Sequence, residues 1–185
     1  GASVGLKLAL NVGAMLIAFM ALLAMAKWCF SFSGEVVEWS VNLVSGEATV
    51  DYQWKLETTM GYLFAPLAWV MGIDSAECLK AGELLSYKLI ANEFIAYDLL
   101  AEVQADPATA LSDRTSLILT YALCGFANFG SIGIQIAGIG GLAKGRRSDL
   151  ARLSLRAMLG GTLAAFMTAC FAGMLYGDAI SLFGF

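Results

Sequence analysis

Residues 115–142 read TSLILTYALCGFANFGSIGIQIAGIGGL, twenty-eight positions without a charge. That exceeds the ~20 residues a helix needs to cross a bilayer. The centre of the run resists a continuous helix. Gly125, Gly130 and Gly133, with Asn128 and Ser131 among them, lower helix propensity where a span would lie at the midplane. The stretch is predicted to be a broken transmembrane helix, whose free backbone groups and half-helix ends meet a polar ligand. Asn128 and Ser131, three positions apart, face one side if a helical turn persists. Phe126 precedes them, and Gln135 follows about a turn later. The same pattern also fits a glycine-rich packing site whose two polar groups are satisfied by neighbours. Gln135 fits a hydrogen bond to a neighbouring helix as well as one to a ligand.

The composition supports a membrane setting for this run. The 185 residues are 59% hydrophobic and 14% charged, against about 45–50% and about 25% in soluble domains. This argues against a soluble globular domain and excludes disorder. A net charge of -4 gives no footing for nucleic acid. The absence of histidine removes the commonest general base and most metal-site designs. Cys29, Cys78, Cys124 and Cys170 form no CxxC pair and read as inert buried thiols. The chain begins at Gly1 rather than Met and enters an apolar run almost at once, which suggests a truncated or processed polypeptide.

Moving outward from the broken run, residues 8–26 form an uncharged span bracketed by Lys7 and Lys27. Residues 31–56 mix Glu35, Glu38, Glu47 and Asp51 with Trp39, Tyr52 and Trp54. They read as a linker with a short interfacial helix. Residues 58–73, TTMGYLFAPLAWVMGI, are short for a span and contain Pro66, which favours an interfacial or buried helix. Residues 75–102 look helical but carry seven charges, too many for a lipid-facing span. On one continuous helix Glu77, Lys80, Glu83 and Lys88 fall on one arc, and Glu93 points away from it. Two half-helices folded as a re-entrant hairpin explain the pattern, and Asp106-Pro107 ends it. Residues 157–177 are the last clear span, with Gly160, Gly161 and Gly173 available for close packing. The loop 143–156 holds five of the eleven basic residues. The positive-inside rule puts it in the cytoplasm and the C-terminus outside. The fold class is therefore an all-α polytopic membrane protein with a re-entrant hairpin and a broken transmembrane helix.

Glu93 is the leading chemical group. A carboxylate at membrane depth pairs with something or lines a cavity, and Asn92 adds an amide beside it. It fits an acceptor for ligand hydroxyls, a proton carrier, or a hairpin-end carboxylate that reaches water. Nucleophilic catalysis has no histidine to serve it, no acid dyad shares a face, and no phosphate loop follows a strand.

Several strings resemble the concentrative nucleoside transporters. They are 61–72 (GYLFAPLAWVMG), Asn92-Glu93-Phe94 with Ala96-Tyr97, 122–135 (ALCGFANFGSIGIQ) and 5–18 (GLKLALNVGAMLIA). The resemblance runs through nearly the whole chain in one order and implies the C-terminal half of an inverted-repeat transporter. Residues 1–56 would be a scaffold helix and linker near trimer contacts. Residues 57–185 would be the second repeat of the transport domain. Matched residue by residue, the resemblance implies that Glu93, Asn128 and Ser131 hold the ribose of a uridine-like nucleoside. Phe126 would flank the substrate and Ile132 lie beside it. Gly130 departs from a serine common in the family. No cofactor is implied, only sodium or a proton as coupling ion, with ligands in a missing N-terminal half. The expected protein is a homotrimeric, cation-coupled nucleoside symporter of the plasma or inner membrane, and not an enzyme. A membrane scaffold and a nucleoside-gated channel are the competing readings.

Overall fold

Two asparagines restart the helix after each break that the sequence announces. The computed structural model describes residues 2–45 and 56–183. In it Asn92 and Asn128 both take extended backbone angles and cap the helix that follows. Asn92 Oδ1 accepts from Ile95 N–H at 3.0 Å, and Asn128 Oδ1 from Ser131 N–H at 2.8 Å. A short amide acceptor at this position satisfies an orphan N–H of the first turn.

The order of elements is α1 (Ala2–Ser45), α2 (Leu56–Val70), α3 (Cys78–Ile90), α4 (Glu93–Ala105), α5 (Asp113–Leu123), α6 (Phe129–Leu142), a 3-10 turn (Lys144–Arg146) and α7 (Arg147–Phe183). No strand occurs among the described residues. Residues 75–102 thus form two helices joined at Ala91-Asn92, and residues 115–142 form two helices separated by 124–128, as the sequence predicts. Ser112 caps α5 by accepting from Thr115 N–H, and α4 stops before Asp106-Pro107.

Helix lengths differ from the sequence reading at both ends. α1 does not stop near residue 26 but runs through Ser45, across most of the predicted linker. Two of its serines bond back to the helix, Ser33 Oγ to Phe30 O and Ser40 Oγ to Val36 O, so they do not compete with it. Glu35 is exposed and no proline interrupts the stretch, so nothing halts the helix there. The part of that linker over residues 46–55 lies outside the described residues. The basic loop 143–156 is likewise shorter than predicted. Only 143–146 precedes α7, and Arg147, Arg152 and Arg156 lie on its first turns. Residues 147–156 contain no glycine or proline, and Asp149 sits in the first turn, where the helix dipole favours an acid.

The core gathers Phe64 and Ala68 of α2, Leu84 and Leu85 of α3, Ala96 and Leu100 of α4, Ile118, Leu119 and Leu123 of α5, and Phe166 and Ala169 of α7. α2 and α3 touch through paired glycines. A Cβ at Gly61 would stand 2.9 Å from Glu83 Cγ, and one at Gly82 would overlap the Gly61 carbonyl. Pro66 sits inside α2, on an exposed stretch with Leu63 and Trp69. Lys27 does not mark a span end. It reaches from α1 to pair with Glu57 in the first turn of α2. Glu77 ties the start of α3 to that of α5, accepting from Ser112 N–H (2.7 Å), Ser112 Oγ (2.9 Å) and Thr115 Oγ1 (2.6 Å). Cys78 is buried as the composition suggests, but Cys29 and Cys124 are exposed.

Among the described residues two helices are long and apolar enough to cross a membrane, Gly5–Leu43 and Arg147–Gly177. No residue in the most apolar window of the first is buried.

Candidate functional site

The break between α5 and α6 and the joint between α3 and α4 meet. Glu93 is the first residue of α4 and is 6% exposed; Asn128 caps α6 and is 4% exposed. Asn128 Nδ2 donates to Glu93 Oε2 at 2.8 Å. The geometry fixes the amide: Oδ1 must face Ser131 N–H to cap the helix, which turns Nδ2 toward the carboxylate.

Ser131 closes the network. Its Oγ lies 2.8 Å from Asn128 Oδ1 and against the Phe126 carbonyl, and it accepts from Asn128 N–H at 3.3 Å. A hydroxyl has one proton, so it donates to one of the two oxygens. Asn128 and Ser131 form a reciprocal capping box. The two polar groups are thus satisfied by neighbours, as one sequence reading allowed, and still present an amide to Glu93. Glu93 Oε1 has no hydrogen-bond partner among the described residues.

Phe126 lies in the break, 69% exposed, with its ring edge-on to Phe94 at 6.5 Å. Phe126, Ser131, Ile132 and Gln135 line a cavity of about 260 Å³, together with Ala157 and Met158 of α7. Glu93, Asn92 and Asn128 do not line it, so Ser131 is the residue common to the cavity and the carboxylate cluster. The side chain of Asn92 is used in capping α4, and it does not join the cluster.

The break itself is short of helical bonds but not of partners. Gly125 N–H donates to Leu123 O at 2.9 Å and Ala127 N–H to Gly125 O at 2.7 Å. Gly130 is packed closely. A Cβ there would stand 3.2 Å from Asn128 Oδ1 and 3.4 Å from Phe19 of α1.

Sequence reasoning missed Lys88. The continuous-helix arc put it with Glu77, Lys80 and Glu83 on a polar face, yet it is 1% exposed, with Nζ donating to Ala122 O at 2.8 Å. Its signal was its setting, a lone cation in the apolar run LLSYKLIA five positions before Glu93. Phe94 was missed too. It is 72% exposed in the first turn of α4, beside the ring of Phe126.

Comparison with known proteins gives a consistent answer. Residues 1–173 match the family described as Na+ dependent nucleoside transporter C-terminus. An uncharacterized transporter of Haemophilus influenzae is 45% identical over 179 residues, covering 96% of this chain and 40% of that protein. Solute carrier family 28 member 3 of Rattus norvegicus is 37% identical, over 98% of this chain and 26% of its own. Sodium/nucleoside cotransporter 1 of Mus musculus is 35% identical, over 95% and 27%. Among solved structures, a double mutant of CNTnw in an outward-facing state superposes with TM-score 0.80 at 37% identity, over 95% of this chain and 41% of that one. CNTnw in an inward-facing substrate-bound state gives 0.70 at 38% identity, over 96% and 40%. The chain therefore spans about two-fifths or less of the proteins it matches. These relatives are membrane transporters and not enzymes. The chain belongs to the Na+-dependent nucleoside transporter family, and its residues correspond to the family's C-terminal part.

Proposed function

We propose that this chain is the sugar-binding part of a cation-coupled nucleoside symporter that works by alternating access. The observation that carries the reading is the buried Glu93–Asn128 bond, which engages one carboxylate oxygen and leaves the other without a partner among the described residues, at the meeting of two helix breaks. A ribose offers vicinal hydroxyl donors, and an ionised acceptor with a lone-pair-rich free oxygen takes both. Asn128 holds the carboxylate in place, and Ser131 adds a hydroxyl. Phe126 offers a ring face to the base, with Ile132 and Gln135 further along the same cavity. Uridine is the expected probe substrate.

Transport would move the unit from residue 57 onward against α1. The contacts that such motion must break are the Lys27–Glu57 pair and the packing of Phe19 over Gly130. α3 and α4 would enter and leave the membrane from one side as a re-entrant hairpin. The polar joint at Ala91–Asn92 would be covered by α5 and α6. Residues 143–146 and the arginines of the first turns of α7 would face the cytoplasm in the plasma or inner membrane. A homotrimer is the proposed assembly. The coupling ion, sodium or a proton, would bind outside this chain.

The test is uridine uptake into proteoliposomes by the native full-length protein under an imposed sodium or proton gradient. Uridine should accumulate above its external concentration while the gradient lasts, and Glu93→Gln should abolish accumulation in protein that still folds. Equilibration without accumulation would mean a channel, and wild-type uptake by Glu93→Gln would remove the carboxylate from the site.

A further inference from the structure

Lys88 is the largest fully buried side chain among the described residues, and the transport reading above does not use it. Burying an ammonium is costly unless something replaces its water. Among the described residues, the ion pairs are Lys27–Glu57, Lys80–Glu83 and Arg146–Asp149, so no carboxylate pairs with Lys88 directly. What Lys88 Nζ meets is the Ala122 carbonyl at 2.8 Å and the face of Phe166 at 5.5 Å. Ala122 lies in the last turn of α5.

A helix leaves its last four carbonyls without intrahelical partners, and the dipole makes that end negative. At α5 each of the four is accounted for. Cys124 N–H donates to Tyr121 O at 3.2 Å and Gly125 N–H to Leu123 O at 2.9 Å. Tyr97 Oη donates to Thr120 O at 2.7 Å, and Lys88 to Ala122 O. The two side-chain donors come from α3 and α4, one from each. Six residues beyond the Ala122 carbonyl, the Glu93 carboxylate accepts from the residue that caps α6. The α3–α4 pair therefore sets a cation on the negative end of α5 and an anion at the positive end of α6. Each charge meets the helix end of opposite polarity.

We propose that Lys88, assisted by Tyr97, is a positioning residue. It clamps the C-terminal carbonyls of α5 and so fixes the unwound residues 124–128 that present Phe126 and Asn128 to the sugar. The proposal rests on the reading of this break as the nucleoside site. Lys88 does not touch the nucleoside. It acts as a tethered cation for the buried Ala122 carbonyl of that helix end.

The experiment uses the native full-length protein. Uridine KM is measured in proteoliposomes, and amide hydrogen exchange is followed over 124–128, for wild type, Lys88→Met, Lys88→Arg and Tyr97→Phe. Lys88→Met should raise KM by about tenfold or more, because it strands a buried acceptor in the turn that anchors the binding segment. It should also speed exchange over 124–128 while leaving α2 and the middle of α7 unchanged. Lys88→Arg keeps a charged donor and should raise KM less than Lys88→Met does. Tyr97→Phe should shift both readouts in the same direction by less. Wild-type KM and exchange in Lys88→Met would overturn the proposal, as would a general loss of stability with KM unchanged. If Lys88→Met does not fold, unchanged exchange over 124–128 in Tyr97→Phe overturns it. A wild-type protein that takes up no uridine would defeat the transport reading alone, since the exchange data still judge the clamp.

Discussion

Asn128 does two jobs with one amide, and substitutions separate them. Its oxygen caps α6, and its NH2 holds Glu93. Asn128→Ala should lose both, with about 1 kcal/mol of stability gone with the cap. Asn128→Asp keeps a capping acceptor but sets a second carboxylate against Glu93. It should lose uridine affinity, because Glu93 loses its amide donor and gains a second carboxyl group at 2.8 Å in its place. A uridine titration checks this, and equal affinity in wild type and Asn128→Asp would refute the amide's role. At this scale the sequence was readable where polarity interrupts an apolar run. Glu93, Asn128 and Ser131 stand out that way, and the structure brings all three into one hydrogen-bonded cluster. Lys88 interrupts an apolar run as well, but its partner is a backbone carbonyl thirty-four residues away, and no side-chain pattern marks a carbonyl, so its role was not legible.

Helix breaks were legible for a physical reason that helix ends were not. A break needs glycine or a capping side chain, and Asn92, Gly125 and Asn128 supply those locally. An end is set by what the surroundings tolerate. α1 absorbs Glu35 and Trp39 because both face outward, so charges that look like a linker ride on a continuing helix. The α2–α3 contact tolerates less. Gly82→Ala would drive a methyl into the Gly61 carbonyl, and Gly61 has no room to yield because Glu83 stands against it. The substitution should cost about 1–3 kcal/mol, the range of overpacking, and show as a fall in thermal midpoint. An unchanged midpoint would mean that the helices separate without cost. The α3–α5 tie is pH-sensitive instead. Burial raises the Glu77 carboxyl, but the bonds from Thr115 and Ser112 outweigh it and hold the group below the ordinary carboxylate range. A depressed folded-state pKa stabilises above the unfolded value and loses that contribution as pH falls through the folded one. Melting should therefore drop at acid pH below the usual carboxylate range, and Glu77→Gln should flatten that part of the curve.

On the scale of the whole molecule, the exposed apolar surface of α1 and α7 is what a bilayer or neighbouring helices would cover. Leu6, Leu10, Ile17 and Trp28 of α1 are exposed, as are Leu163, Met167 and Phe171 of α7. Composition made that class legible before any element was placed. The position of α1 against α6 was not legible, because its apolar face carries no periodic mark distinguishing a protein contact from a lipid one. The central claim is that Glu93 recognises the sugar diol, and one comparison tests it most directly. Equilibrium affinities for uridine and 2′,3′-dideoxyuridine are measured on the native full-length protein and on Glu93→Gln. The wild type should favour uridine by about ten- to a hundredfold, the value of charge-assisted bonds left unmade. Glu93→Gln should bind both weakly and nearly alike. A wild type indifferent to the hydroxyls, or a mutant that still discriminates, would contradict the account.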